Sequence, residues 1–149
     1  LDVVILGATE IDTDFNVNVH TDSNGCLMGG SGGHTDAAAG ARLTMIIAPL
    51  VRARLPIVTD RVACISTPGA DVDVLVTQRG VAVNPLRPEL AAQLRQAGLP
   101  VVEIQDLKRR AEAITGVPRK TPRDGRTVAR VLGRDGAVQD LIRELPGEP

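Results

Sequence analysis

Aromatic side chains are almost absent from this chain, with one Phe, no Tyr and no Trp in 149 residues. That lack argues against a stacking platform for single-stranded nucleic acid, which needs ring faces along its groove. It also means that the core is built from Val, Ile, Leu and Ala, as in sheets flanked by helices. Net charge is scarce too, at −1, so no bulk field draws the chain to nucleic acid or to a membrane surface. Cysteine is limited to Cys26 and Cys64, far apart and without a Cys-x-x-Cys spacing. A disulfide framework is therefore not expected, and reduced thiols in a cytoplasmic protein are. The two histidines, His20 and His34, have no Cys or carboxylate at a standard ligand spacing, so no metal site is expected. The longest apolar run, Met45–Val51, is interrupted by Pro49 and falls far short of a membrane span.

Glycine, by contrast, is concentrated. Gly29-Gly30-Ser31-Gly32-Gly33 places four glycines in five positions, followed by His34-Thr35-Asp36 and the small-residue run Ala37-Ala38-Ala39-Gly40-Ala41. Glycine buries no side chain and costs backbone entropy, so such a run suits a loop with unusual dihedrals or one whose backbone another molecule approaches. A helix-competent run begins at once, and the loop is expected to aim backbone N–H groups at an anionic or carbonyl oxygen. No Gly-Lys-Ser/Thr follows, which excludes a P-loop, and the spacing lacks the G-x-G-x-x-G dinucleotide pattern.

The rest of the chain reads as strands alternating with helices. Val3–Leu6 has the pattern of a strand buried on both faces, and Phe15–Val19 alternates with period two around the polar Asn16 and Asn18. Asp12-Thr13-Asp14 and Asp22-Ser23-Asn24-Gly25 are turns by composition. Helices are expected over His34–Arg42, Pro88–Ala97 and Leu107–Thr115, the last two stopped by Gly98 and Gly116, with Asp36 and Asp106 as candidate caps. Further strands are expected at Thr44–Ala48, Ile57–Val58, Val62–Ile65, Val72–Thr77, Gly80–Val83 and Val101–Ile104. Lys120–Arg126 reads as a linker, and Thr127–Leu132 with Ala137–Ile142 as a β-hairpin through Arg134-Asp135-Gly136. This order predicts an α/β fold with a mostly parallel open sheet flanked by helices. The whole of residues 1–149 is read as one domain, expected to be the C-terminal part of a longer polypeptide because it opens in mid-strand.

Candidate chemistry gathers around the glycine loop. Two amides on one strand face, Asn16 and Asn18, could line a site for a carboxylate or amide group or support turns; the residues leave both open. His34 is open between acid/base work and a loop role in which its backbone N–H matters more. Ser66-Thr67-Pro68-Gly69 offers hydroxyls with no visible activating base, and Glu10 is the carboxylate nearest the amides. Nine Lys or Arg against three acids between Leu107 and Asp135 make either a solvated face or a dock for an acidic partner. The pattern is that of a receptor for oxygen-rich groups more than of a self-sufficient reaction centre.

Beyond these readings, Leu1–Ala8, Glu10-Ile11-Asp12, Phe15–Val19 and the G-x-G-G-x-x-D run Gly30–Asp36 resemble the second half of the coenzyme A-transferases. Ile47–Arg52, Pro68-Gly69 before Val72–Thr77, and Gly80–Pro85 with Arg87–Leu90 make the chain similar, within that superfamily, to the citrate lyase alpha-subunit family. The resemblance implies a transferase with a coenzyme A-transferase-like fold, which exchanges the acetyl group of a carrier-protein thioester for citrate and releases acetate. It implies the beta and gamma subunits as partners. It also implies contact with the phosphoribosyl-dephospho-coenzyme A arm of the gamma carrier, or with coenzyme A, and no covalently held cofactor in this chain. On the same ground the amides of Gly30, Ser31, Gly32 and Gly33 are expected at the thioester oxygen, Gly29, Gly30, Gly32 and Gly33 against the coenzyme A arm, and Asn16, Asn18 and His34 at the substrate. Many coenzyme A-transferases use a glutamate nucleophile upstream of the strand that starts this chain; in citrate lyase the resemblance implies a mixed anhydride instead. A short-chain acyl-coenzyme A transferase or hydrolase, or a non-catalytic docking domain, are the competing expectations.

Overall fold

Parallel pairing organises the centre of this mixed α/β molecule, whose computed structural model describes residues 1–22, 24–120 and 122–145. In chain order the elements are β1 (Val3–Leu6), β2 (Glu10–Asp12), β3 (Val17–Asn18), α1 (His34–Ala39), β4 (Leu43–Ile47), β5 (Val51–Arg52), β6 (Leu55–Pro56) and β7 (Val58–Thr59). They continue with β8 (Val74–Thr77), β9 (Gly80–Val83), α2 (Pro88–Gln96), α3 (Ile104–Thr115), β10 (Thr127–Leu132) and β11 (Val138–Arg143). Strands β1, β4 and β8 run parallel, and β9 closes that sheet antiparallel to β8. A second sheet orders β3-β2-β7, and β5–β6 and β10–β11 form separate antiparallel pairs.

The single mostly parallel sheet expected from the sequence is thus divided. Strands β1-β4-β8 make a three-stranded parallel stack, and the parallel pair β2–β7 lies in the second sheet. The core joins the two larger sheets through Ile11, Phe15, Val17, Ile46, Leu50, Ile57, Val58 and Leu75, closed by Leu107 and Ala111 of α3. Those apolar contacts hold the sheets together by removing branched aliphatic surface from water. Helix α2 contributes no fully buried residue and lies at the edge beside β9.

Several expectations need correction. Among them, Val101–Ile104 forms no strand: only Val101 bridges Val81, and α3 begins at Ile104 after Glu103, so Asp106 lies inside the helix and does not cap it. Strand β1 is an edge rather than a strand buried on both faces: Val3 is 51% and Ile5 61% exposed, because β1 pairs with β4 alone among the described residues. The Phe15–Val19 strand shrinks to Val17–Asn18, since Phe15 has φ 65 and belongs with Asp12–Asn16 to a tight turn. Val62–Ile65 forms no strand. Its N–H groups donate to carboxylates instead, Val62 to Asp12 Oδ2 (3.4 Å), Ala63 to Glu10 Oε2 (3.1 Å) and Ile65 to Asp140 Oδ2 (2.8 Å). Of the expected turn and linker residues, Ser23 and Thr121 lie outside the described residues.

Candidate functional site

The walls of the site are built by β3 and the segment that pairs with it. Val17 exchanges backbone bonds with Thr67, and Ser66 N also donates to Val17 O at 2.8 Å. This places Ser66 and Thr67 against Val19 and His20, more than forty residues away in sequence. After His20 the chain makes a turn bridged by Thr21 and Leu27 and returns, so that Met28 N (2.8 Å) and Gly29 N (3.4 Å) both donate to His20 O. The glycine loop therefore leaves directly from the backbone of His20.

From there the loop is open. Gly29, Gly30, Gly32 and Gly33 are all exposed, and a Cβ added at any of them would meet no atom within 4 Å. Among the described residues, the N–H groups of Gly30, Ser31, Gly32 and Gly33 make no hydrogen bond. Gly32 has φ +56, a left-handed conformation that side chains rarely adopt. Four successive unengaged donors on an exposed backbone are what an incoming oxygen requires.

Helix α1 starts at His34 and is only six residues long. It is fixed by side chains, not capped by Asp36: no side-chain cap is made at its start, and Asp36 faces Arg134 across 3.9 Å. The His34 ring is engaged at both nitrogens, Nδ1 with Thr67 Oγ1 at 2.7 Å and Nε2 with Gly7 O at 2.9 Å. Thr35 Oγ1 donates to Ser66 O at 2.5 Å. His34 and Thr35 thereby clamp α1 to segment 66–67 and to the end of β1.

The two asparagines are placed differently from each other. Asn16 bridges a turn, its Nδ2 donating to Asp12 Oδ2 (3.2 Å) and its Oδ1 accepting from Gly69 N (2.9 Å). Asn18 is fully buried, donating from Nδ2 to Glu10 Oε2 (3.1 Å) and Thr21 Oγ1 (2.8 Å) and accepting at Oδ1 from the N–H groups of His20 and Thr21. Both amides nevertheless reach carboxylates of β2, Asn16 that of Asp12 and Asn18 that of Glu10, two residues apart on that strand. Asp12 centres this network, and burial raises its carboxyl above the usual range despite the N–H groups that point at it.

A cleft of about 200 Å³ runs beside the loop. Ser31, Gly32, Thr35 and His20 form one wall and Arg130, Val131 and Arg134, on and after β10, the other; Asn16, Asn18 and His34 do not line it. His20 is the residue that sequence reasoning passed over, although it continues the 16, 18, 20 spacing of the amides. Its Nδ1 lies 2.5 Å from Ser66 Oγ, which corrects the expectation that no base stands near Ser66. Burial, aided by His34 nearby, lowers the His20 pKa below its ordinary 6.5. Ser66 is completely buried, so it supports the ring and is not itself reachable.

The basic segment is largely self-neutralised. Lys108 pairs with Asp60 and Glu112, Arg109 with Asp106, Arg123 with Asp140, Arg126 with Glu144 and Arg134 with Asp36. No helix among the described residues is long and apolar enough to cross a membrane.

Comparison with known proteins places this arrangement. Residues 1–145 match the family model for the citrate lyase alpha subunit. The citrate lyase alpha chain of Klebsiella pneumoniae is 57% identical and that of Escherichia coli K12 52% identical, each over 145 residues covering 97% of this chain. A crystal structure assigned to the alpha subunit of citrate lyase from Streptococcus mutans, in complex with citrate, superposes with a TM-score of 0.94 at 43% identity over 99% of the chain. The chain spans 28% of the length of those two curated relatives and 29% of that crystallised chain.

Proposed function

The chain belongs to the citrate lyase alpha-subunit family, and on that footing we propose that residues 29–33 form one wall of an acyl-exchange site. The reaction proposed is exchange of the acetyl group on a carrier thioester for citrate, giving the citryl thioester and acetate. The observation that carries it is the row of four unengaged N–H groups from Gly30 to Gly33 on an open, exposed backbone.

In such an exchange a citrate carboxylate oxygen adds to the acetyl thioester carbonyl carbon and the carrier thiolate leaves. The thiolate then adds to the citryl carbonyl of the resulting mixed anhydride and acetate leaves, with negative charge developing on a carbonyl oxygen at each addition. Fixed N–H donors aimed at that oxygen lower the barrier by about 3 kcal/mol each. Glycine at four of the five loop positions leaves room for a thioester to approach the backbone, so the residues fit a phosphoribosyl-dephospho-coenzyme A arm or coenzyme A. That group supplies the sulfur of the thioester. This chain's own residues supply the donors and hold them: His20 O tethers the start of the loop, and His34 and Thr35 fix its end. We accordingly give Asn16, Asn18 and His34 the task of holding the walls, not of touching substrate. The beta subunit and the gamma carrier are the proposed partners, in the cytoplasm. A docking role for the basic segment has less support, because most of its cations already face carboxylates of this chain.

The test is citrate-dependent acyl exchange by the full-length alpha subunit with acetyl-carrier as donor. Wild-type exchange that requires citrate supports the reading. Exchange with free acetyl-coenzyme A and short monocarboxylates, but not with citrate, would replace it by a general coenzyme A-transferase.

A further inference from the structure

Ser66 Oγ accepts hydrogen bonds from Val19 N (2.9 Å) and His20 N (3.2 Å). With both lone pairs so engaged, its hydrogen is left for His20 Nδ1 at 2.5 Å. The ring is then held with Nδ1 as acceptor and the proton on Nε2, a tautomer assigned by its hydrogen-bond partners. Among the described residues Nε2 has no partner, and it is not one of the fully buried orphan atoms, so solvent or a ligand reaches it. It belongs to a residue that lines the cleft beside Ser31 and Gly32. Across the cleft, Arg134 is turned to Asp36, whereas Arg130 makes no ion pair among the described residues.

We propose that His20 and Arg130 form a subsite for a second carboxylate of the acyl acceptor, remote from the carboxylate that reacts at the glycine loop. A neutral N–H and a guanidinium together suit a carboxylate oxygen pair, and neither is required for a monocarboxylate. The subsite thus selects di- and tricarboxylates over acetate. Burial and the nearby His34 both lower the pKa of the His20 ring, and Asp36 faces Arg134.

This inference rests on the acyl-exchange reading, and its test separates the two. In the full-length subunit, kcat/KM is measured for citrate and for labelled acetate as competing acceptors. His20→Ala and Arg130→Gln are each expected to lower the citrate-to-acetate ratio about tenfold, mostly through KM. His20→Gln, which keeps an N–H near the Nε2 position, is expected to recover most of that ratio. Direct calorimetric citrate binding by the same variants should weaken in parallel. Arg130 is exposed, so Arg130→Gln keeps the question answerable if His20→Ala fails to fold. A wild type that exchanges citrate, with an unchanged ratio in the variants, overturns the subsite alone. A wild type that neither exchanges nor binds citrate overturns both.

Discussion

Residues 10–18 and residues 29–33 are both crowded with hydrogen-bonding groups, and the two regions dispose of them in opposite ways. In the first, Asp12, Asn16 and Asn18 meet partners on every side, and Gly69 is threaded so closely past them that its N–H reaches Asn16 Oδ1. In the second, four N–H groups in succession meet no partner among the described residues. Buried polar groups must be paired inside the protein, whereas exposed ones can be held for a ligand. The saturated region is what allows the open one to keep a fixed shape, since His20 and the 66–67 segment stand between them and touch both.

Glycine substitution is the sharpest way to break this contrast. A Cβ at Gly69 would lie 2.0 Å from Asp14 O and 3.0 Å from Phe15 C, both backbone atoms that cannot swing away. Gly69→Ala is expected to cost about 3 kcal/mol or more in the urea unfolding of the subunit. Gly30→Val should behave in reverse, because nothing lies within 4 Å of the added Cβ. Unfolding should be unchanged while citrate-dependent exchange falls about 100-fold, because the added side chain holds the thioester carbonyl away from the N–H row and an oxyanion contact is lost. Full exchange by Gly30→Val would remove the loop from the reaction.

Asn18→Ala probes the saturated side alone. It strands Glu10 and the N–H groups of His20 and Thr21, and about 2 kcal/mol of stability should be lost. The KM for citrate should move less than twofold at temperatures where the variant is folded. A larger KM shift without destabilisation would return Asn18 to the substrate.

The cysteines give a smaller, chemical version of the same comparison. Cys26 is exposed on the turn before the glycine loop, whereas Cys64 is buried against Val131 and Ile142. Burial, with Asp140 adding to it, pushes the Cys64 thiol up to about 11. The thiolate is the reacting form, so an alkylating reagent should mark Cys26 and leave Cys64 untouched until the protein is unfolded. Peptide mapping by mass spectrometry reads this directly.

What could be read in advance follows the range of the forces involved. Strands β1 and β9 begin and end where their apolar runs do, and α2 and α3 stop just before Gly98 and at Gly116, because runs and stops are local signals. Several of the failures are long-range. Val62–Ile65 has a strand's composition, but buried carboxylates from β2 and β11 take its N–H groups. The exposure of β1 depends on which strand lies beside it, and no residue within Val3–Leu6 encodes that. The openness of the glycine loop was legible because glycine buries no side chain. His20 was not, because its significance comes from Ser66, forty-six residues away.

The smallest expected effect tests whether His20 belongs to the open side or to the saturated one. Burial is the main reason that its pKa is lowered, so the folded chain releases the ring proton at a lower pH than the unfolded chain, whose ordinary value is 6.5. Above 6.5 both states are neutral at this residue, and stability does not depend on pH through it. As pH falls through 6.5 the unfolded chain takes up a proton that the folded chain does not, so stability declines until the folded value is passed. Asp12 has the opposite sense: its raised carboxyl favours the folded state at low pH, and that advantage is lost as pH rises from 3.8 through the folded value. The difference between wild type and His20→Gln in unfolding free energy across this range isolates the histidine, since Asp12 is common to both. Citrate held at Nε2 should make the dependence shallower, because a carboxylate at the ring favours its protonated form and brings the folded value back toward 6.5. A slope that citrate leaves unaltered would assign His20 to the packing of the wall.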